Sequence, residues 1–347
     1  MTFTATQIDA LRQNVAAALD VHSRHITIER WELSPGERSV RSWGRSLGEQ
    51  FFAKTLLCEP YRVMPRITLP WDDRVPRLSR STAEQIEIEW NTTFQLRRLA
   101  GTENIPVPMG KSLATKTIVW HGASGEVLDD MVKRQRLFVP RESARAALLE
   151  AGVWLRRVHD RSSQRSENLD LGHMVQGLRD RIRQAGQSSC LHATTALQVL
   201  ESTVAEIGKP VLNVPVVLSH GDFMMANLLW NDSQRRLFIV DFENFAAVNM
   251  CQDLLSLIFD LRSQMLNPLI SKRFLLSLEK SFWAGYGPIA PKIQAFVCGV
   301  ASARVFYYHL PQALQKRKQK GGWARAAASV YQAFLEPSML ARCLEAM

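Results

Sequence analysis

The chain has 347 residues, of which 46% are hydrophobic and 22% are charged, and its formal net charge is +10. The hydrophobic share excludes a disordered protein, and the length exceeds that of a typical single core, so we expect two domains or lobes. Five scattered cysteines without a Cys-x-x-Cys pair argue against a disulfide framework or a zinc site, and favour a reducing compartment.

The amino terminus lacks the basic segment and apolar core of a signal peptide. No apolar run approaches the ~20 residues that cross a bilayer. We therefore expect a cytoplasmic protein that does not associate with membranes. A basic cluster at residues 316–320 is interpreted as a solvated loop between helices, since such runs are common on surfaces. No nucleic-acid-binding module is evident, so nucleic acid is not an expected partner.

The first part of the chain predicts a small sheet accompanied by helices. Helical spacing of apolar residues predicts a leading helix at 6–18, and a second helix is predicted at 82–99. The proline-rich segment 59–81 is interpreted as an insertion or an irregular linker. Strand patterns are predicted at 26–33, 39–43, 50–56, 105–108 and 117–120.

Beyond His121 the pattern becomes mainly helical, apart from an apolar hairpin at 216–243. The segment 143–159 is typical of an amphipathic helix, because its apolar residues recur on one face. Further helices are predicted at 171–184, 194–207, 252–261, 272–283 and 295–310.

The most informative stretch is 217–243, which carries Asp222, Asn227 and Asp241. Asp222 follows a buried strand, and Asn227 and Asp241 flank a short apolar hairpin that brings them together. Phosphoryl transfer from a nucleotide needs these groups: one carboxylate orients the acceptor hydroxyl, and two oxygen ligands hold Mg²⁺ against the phosphates.

The pattern His-Gly-Asp-x-x-x-x-Asn-x-Leu at 220–229, followed by Val-Asp-Phe-Glu at 240–243, resembles the aminoglycoside phosphotransferase family. The resemblance implies an α+β, two-lobed, protein-kinase-like fold. Residues 1–120 would form a strand-rich, nucleotide-binding lobe, and residues 121–347 a mainly helical, catalytic and acceptor-binding lobe. It also implies that Asp222 is the catalytic base and that Asn227 and Asp241 are the metal ligands.

Other site residues follow from the same resemblance. Lys54 is the candidate for the lysine that grips the phosphates, with Glu89 on the next helix as its partner. Trp120 and Gly122 lie where the segment between the lobes would bind the purine edge through backbone groups. Glu243 is assigned to the metal site, as support for the metal or as electrostatic tuning.

Two further residues in or near the motif are given structural roles, and one strand of the first part of the chain has no assigned role. His220 is expected to pack and hydrogen-bond beneath the loop, and Asp253 to hold the loop in place from the following helix. Ser39, Arg41 and Ser42 could donate to phosphate or be ordinary strand residues, and the sequence leaves both open.

These assignments predict a small-molecule kinase that moves the γ-phosphate of ATP or GTP to a hydroxyl group of a small molecule. Mg²⁺ is the expected cofactor. The expected oligomeric state is a monomer or a homodimer. The acceptor cannot be read from the sequence. The alternative is a catalytically silent, kinase-like nucleotide-binding or scaffold protein. A protein kinase is disfavoured because Glu243 replaces the Gly of Asp-Phe-Gly and no Ala-Pro-Glu segment follows.

Overall fold

The computed structural model describes residues 4–33, 39–57, 61–62, 79–134, 142–185, 190–209, 211–242, 244–267 and 270–309. Three features singled out in the sequence lie outside these residues, wholly or for the most part: Glu243, the basic cluster at 316–320 and the proline-rich segment 59–81. No helix among the described residues is both long enough and apolar enough to cross a membrane.

The first lobe is built on an antiparallel sheet of five strands. Its elements in chain order are α1 (Ala5–Leu19), β1 (Ile26–Leu33), β2 (Ser39–Ser46), β3 (Glu49–Leu56), β4 (Tyr61–Arg62), β5 (Ser79–Arg80), α2 (Thr82–Ala100), β6 (Val107–Ser112) and β7 (Thr117–His121). The spatial order in the sheet is β1-β2-β3-β7-β6, and β4 and β5 form a separate two-stranded sheet.

Both faces of this sheet are covered, which explains the apolar run in β3. Phe51 packs with Val15 of α1 on one face, whereas Phe52 packs with Ile86 of α2 on the other. Because side chains alternate along a strand, Lys54 lies on the same face as Phe52. Both helices begin with a capping box, in which the side chains at the first and fourth positions satisfy free backbone N–H groups.

The second lobe is mainly helical. Its elements are β8 (Glu126–Val127), α3 (Leu128–Arg134), α4 (Glu142–Ser162), β9 (Arg165–Asp170), α5 (Leu171–Ala185), α6 (Cys190–Ile207), β10 (Val211–Ser219), β11 (Leu228–Asn231), β12 (Arg236–Ile239), β13 (Ala246–Asn249), α7 (Cys251–Ser263), α8 (Lys272–Tyr286) and α9 (Pro291–Arg304), followed by a π-helical turn at Val305–His309. Two three-stranded sheets have the orders β13-β10-β9 and β12-β11-β8. The predicted α+β architecture, strand-rich first and helical second, is confirmed.

Helices α4 and α8 pack closely against each other, and two glycines allow this approach. A Cβ atom on Gly152 would lie 2.3 Å from the carbonyl oxygen of Phe282, and one on Gly285 would lie 1.9 Å from that of Leu149. Each helix therefore presents a bare backbone position to the other. The main core of the second lobe, which includes Trp154 and Phe282, is built around this pair.

The two lobes share an apolar cluster at the cleft between them. Phe52 and Trp120 of the first sheet stack with ring centroids 5.5 Å apart. The same cluster contains Leu229, Phe238 and Val240 from the β11–β12 hairpin of the second lobe. This contact brings the hairpin, with Asn227 before it and Asp241 after it, against the face of the sheet that carries Lys54.

Candidate active site

Asp253 fixes the loop between β10 and β11 from below. One carboxylate oxygen accepts hydrogen bonds from the Ser219 hydroxyl at 2.8 Å and the Gly221 amide at 2.9 Å, and the other accepts the His220 amide at 2.9 Å. Burial opposes its ionisation, but the hydrogen bonds from His159 and Ser219 hold the pKa of Asp253 below its ordinary value. Asp253, at the start of α7, therefore holds the loop in place, as expected from the sequence.

The loop also needs a glycine. Gly221 has φ +79°, and a Cβ atom there would lie 2.3 Å from the carbonyl oxygen of Asn244. No other residue fits without moving the segment after Asp241. The glycine thus lets this loop and the backbone of Asn244 approach each other closely.

His220 supports Asp222 through the backbone. Its Nε2 atom lies 3.1 Å from the carbonyl oxygen of Val240, and its Nδ1 atom lies 3.4 Å from the amide nitrogen of Asp222. Burial lowers the pKa of His220, so the ring is neutral at neutral pH. In that state Nε2–H donates to Val240 and Nδ1 accepts from Asp222, which links the two ends of the hairpin.

A second buried carboxylate holds the far end of the loop. Asp260, two turns after Asp253 on α7, accepts the amide N–H of Met225 at 2.9 Å. Burial and the nearby negative charge of Asp129 raise the pKa of Asp260 to about 7. Helix α7 thus anchors the loop on both sides of Asp222.

Asn227 and Asp241 meet as predicted from closure of the hairpin. Strands β11 and β12 pair from Leu228 with Ile239 to Asn231 with Arg236, and the Val240 amide donates to the Asn227 carbonyl oxygen at 3.1 Å. Asn227 also donates from Nδ2 to a carboxylate oxygen of Asp222 at 3.2 Å. Asp241 has φ +70°, a left-handed conformation that is uncommon outside glycine.

Lys54 connects both lobes. Its Nζ atom donates to Glu89 Oε1 at 2.9 Å and to Asp241 Oδ1 at 2.6 Å. Glu89 accepts a further hydrogen bond from Gln85 on α2 at 2.9 Å. The side chains of Lys54 and Glu89 are 2% and 0% exposed, so this ion pair is shielded from water and from salt.

Arg41 is the site residue whose role the sequence left open. From β2 its Nη2 atom donates to Asn227 Oδ1 at 3.1 Å and also to Asp241 Oδ2. Burial opposes ionisation of Asp241, but the charges and hydrogen bonds of Lys54 and Arg41 outweigh it and hold the pKa of Asp241 far below its ordinary value. Asp241 is therefore a carboxylate held by two cations.

Trp120 and Gly122, the residues assigned to purine binding, lie at the end of β7. The Trp120 side chain is buried in the shared cluster, and its Nε1 atom donates to Thr93 Oγ1 at 3.2 Å. The Gly122 amide donates to the Gln50 carbonyl oxygen at 3.0 Å, and the Gly122 carbonyl accepts the Ser124 amide at 2.8 Å. Their assignment to purine binding remains a prediction.

The donor set fits a hard divalent cation. Asn227 Oδ1 and the Asp241 carboxylate converge on one position, which the Arg41 guanidinium shows to be favourable for positive charge. Such oxygens are the ligands that Mg²⁺ prefers, and it commonly takes others from water and phosphate. Among the described residues no three His, Cys, Asp or Glu side chains are grouped so that they could hold a metal ion by themselves.

Comparison with known proteins identifies a matching family and similar folds. A model of the phosphotransferase enzyme family matches residues 74–291. No curated protein sequence matches the chain. Among solved structures, a spectinomycin phosphotransferase bound to AMP is 12% identical, with 99% of each chain covered and a TM-score of 0.51.

Two further structures have the same fold. A macrolide 2'-phosphotransferase from Brachybacterium faecium is 14% identical, with coverage of 94% of this chain and 97% of that one and a TM-score of 0.51. A choline/ethanolamine kinase family protein from Mesorhizobium loti is 14% identical, with coverage of 98% and 94% and a TM-score of 0.50. The region matched by the family model, residues 74–291, contains Asp222, Asn227 and Asp241, whereas Arg41 and Lys54 precede that region.

Proposed function

The chain belongs to the phosphotransferase enzyme family, and on that premise we propose that it transfers the γ-phosphate of ATP or GTP to a hydroxyl group of a small molecule, with Mg²⁺ as cofactor. The observation that carries the proposal is the convergence of Asp222, Asn227, Asp241 and Lys54 at one cleft. Relatives with this fold support a nucleotide as co-substrate, since one is solved with AMP and another with GDP and kanamycin.

Asp222 would orient the acceptor hydroxyl and accept its proton. Its backbone is held by His220, and its carboxylate by Asn227, so the group is positioned before a substrate arrives. Positioning of this kind lowers the barrier because the ordering has already occurred in the folded protein. General-base catalysis contributes roughly 10²–10⁴ in rate.

Lys54 would contact the phosphates, and Asn227 and Asp241 would hold Mg²⁺. Charge neutralisation of the transferred phosphoryl group is what the cation supplies when it is bound. Lys54 adds a fixed positive charge at the same end of the cleft. In a site shielded from water, such a charge stabilises the transition state without having to reorganise.

The second candidate is a catalytically silent nucleotide-binding or scaffold protein. One observation favours it: Arg41 already binds the oxygens that Mg²⁺ would need. The acceptor is open under either proposal, because it depends on surfaces of the second lobe where no motif points to a chemical class.

Thermal unfolding with MgATP and with MgGTP tests the proposal and separates the two candidates. We expect the midpoint of the native protein to rise with at least one nucleotide. Asp222→Asn should keep that rise but lose ADP or GDP release in the presence of an acceptor, by a factor of roughly 10² or more. Asp241→Asn should lose both.

The acceptor for the release assay comes from a screen of hydroxyl compounds, with amino alcohols, sugars and aminocyclitols first. A nucleotide-dependent rise without turnover on any acceptor would favour the silent protein. Absence of any rise with either nucleotide would contradict the proposed phosphoryl transfer and favour the silent scaffold protein. Near-normal turnover by Asp222→Asn would remove the catalytic role assigned to that residue.

A further inference from the structure

Arg41 holds a positive charge between the two residues proposed to bind the metal ion. A single atom, Nη2, donates to Asn227 Oδ1 at 3.1 Å and to Asp241 Oδ2. The arginine side chain is 11% exposed, and its partners are 186 and 200 positions away in the sequence. The contact is therefore a buried bridge between the lobes.

The buried ionised groups around this bridge balance one another, and the nearby carboxylates of Glu32 and Asp222 are only partly buried. Arg41 and Lys54 bring two positive charges, and Glu89 and Asp241 bring two negative ones. A divalent cation that replaced Arg41 in this buried group would leave an excess of one positive charge where water screens it poorly. The anionic phosphates of a nucleotide would remove that excess.

We propose that Arg41 competes with Mg²⁺ for Asn227 and Asp241, so that the metal ion binds only with a nucleotide and only after the guanidinium has moved away. This inference rests on the proposed function, because it assigns a metal ion to these two ligands. It makes Arg41 a resident cation that keeps the site from binding free metal ions.

The displaced guanidinium has a second partner within reach. Glu32 on β1 pairs in register with Arg41, and its Oε1 atom lies 3.7 Å from Nη1 of the arginine. The Glu32 side chain is 33% exposed, so an ion pair there does not require burial of a new charge. Arg41 can therefore exchange carboxylates by side-chain rotation, without a change in strand pairing.

The test is the affinity of the nucleotide-free protein for Mn²⁺ alone, measured from the electron paramagnetic resonance signal of the free ion. Arg41→Met keeps much of the side-chain volume and removes the charge, and we expect it to bind Mn²⁺ about tenfold more tightly than the native protein. Arg41→Gln is a second neutral variant in case the first does not fold. Arg41→Lys keeps the charge and should stay close to native affinity.

The matched control is Arg45→Met. Arg45 lies on the same strand and carries the same charge, but it pairs with Glu29 at 3.1 Å, away from Asn227 and Asp241. We expect its affinity for Mn²⁺ to remain native. Equal gains in the Arg41 and Arg45 variants would reduce the effect to net charge and overturn the competition.

Calorimetric titration with MgADP separates failure of this inference from failure of the proposed function. Native Mn²⁺ affinity in both neutral Arg41 variants, together with normal MgADP binding, would overturn the competition and leave the proposed function standing. Tighter Mn²⁺ binding in Arg41→Lys would overturn it as well. Absence of MgADP binding in the native protein and all variants would overturn both.

Discussion

Asp260 shows how a single buried carboxylate makes stability depend on pH. Its folded-state pKa of about 7 lies above the ordinary value of about 3.9 for aspartate. The folded protein therefore keeps a proton that the unfolded chain releases. The stabilisation from this group is complete below about pH 4 and is lost as the pH rises through 7.

Asp260→Asn should remove this dependence, because the amide oxygen still accepts the Met225 N–H and does not titrate. We therefore compare the free energy of unfolding of the variant with that of the native protein. The difference, variant minus native, should increase by roughly 2 to 3 kcal/mol from pH 5 to pH 8. Urea unfolding at both pH values measures it. A difference between the two proteins that is the same at both pH values would contradict the prediction.

At the site, local sequence patterns identified Asp222, Asn227 and Asp241, and the family resemblance added Lys54 and Glu89. Asp222 and Asn227 are five positions apart, and closure of an apolar hairpin brings Asp241 to them. Arg41 could not be assigned in this way. Its partners lie in another lobe, and an arginine on a strand has the same local pattern whether it points to solvent or into a cleft.

At the scale of helices and strands, the ion pair between Lys54 of β3 and Glu89 of α2 links the sheet to the helix that covers it. Glu89→Ala would leave a buried ammonium without this partner, and we expect a loss of about 3 to 5 kcal/mol in the free energy of unfolding. Removal of both charges in Lys54→Met with Glu89→Gln should cost less than the sum of the single changes, because neither charge is then left alone. A double-mutant cycle by urea unfolding measures the coupling, and additive effects would contradict it.

The packing of α4 against α8 depends on Gly285. Gly285→Ala would place a methyl group into the backbone of α4, so the helices must separate, and we expect a loss of about 1 to 3 kcal/mol in the free energy of unfolding. Gly172→Ala on α5 is the control, since its Cβ atom would meet only a side-chain oxygen of Asp170 at 3.3 Å. Equal thermal midpoints for Gly285→Ala and the native protein would contradict the prediction.

Most helices were predicted from apolar spacing to within a few residues at each end, because amphipathic spacing is a local property. Strand β9 was not predicted. Its sequence, Arg-Ser-Glu-Asn-Leu-Asp, lacks apolar alternation, and it is a strand because it pairs with the edge of β10 from Val211–Asp170 to Val216–Arg165. The strand conformation of β9 therefore depends on its pairing with β10, and a short window of sequence around β9 carries no sign of that pairing.

At the scale of the whole molecule, the lobes are joined by shared packing as well as by ions. Phe52 and Trp120 of the sheet are buried together with Leu229 and Val240 of the second lobe. Unfolding of one lobe alone would expose this apolar surface and would also break the Lys54–Asp241 pair. We therefore expect one cooperative transition in differential scanning calorimetry of the nucleotide-free protein, whereas two resolved transitions would contradict this coupling.

The left-handed backbone at Asp241 limits which residues can replace it. Asparagine tolerates positive φ as aspartate does, whereas a β-branched residue would add strain to the loss of charge. The carboxylate can therefore be lost to asparagine, through one base change in the codon, without added backbone strain at this position. The cost of such a change would fall on charge balance instead, because Lys54 and Arg41 would lose the carboxylate that they share.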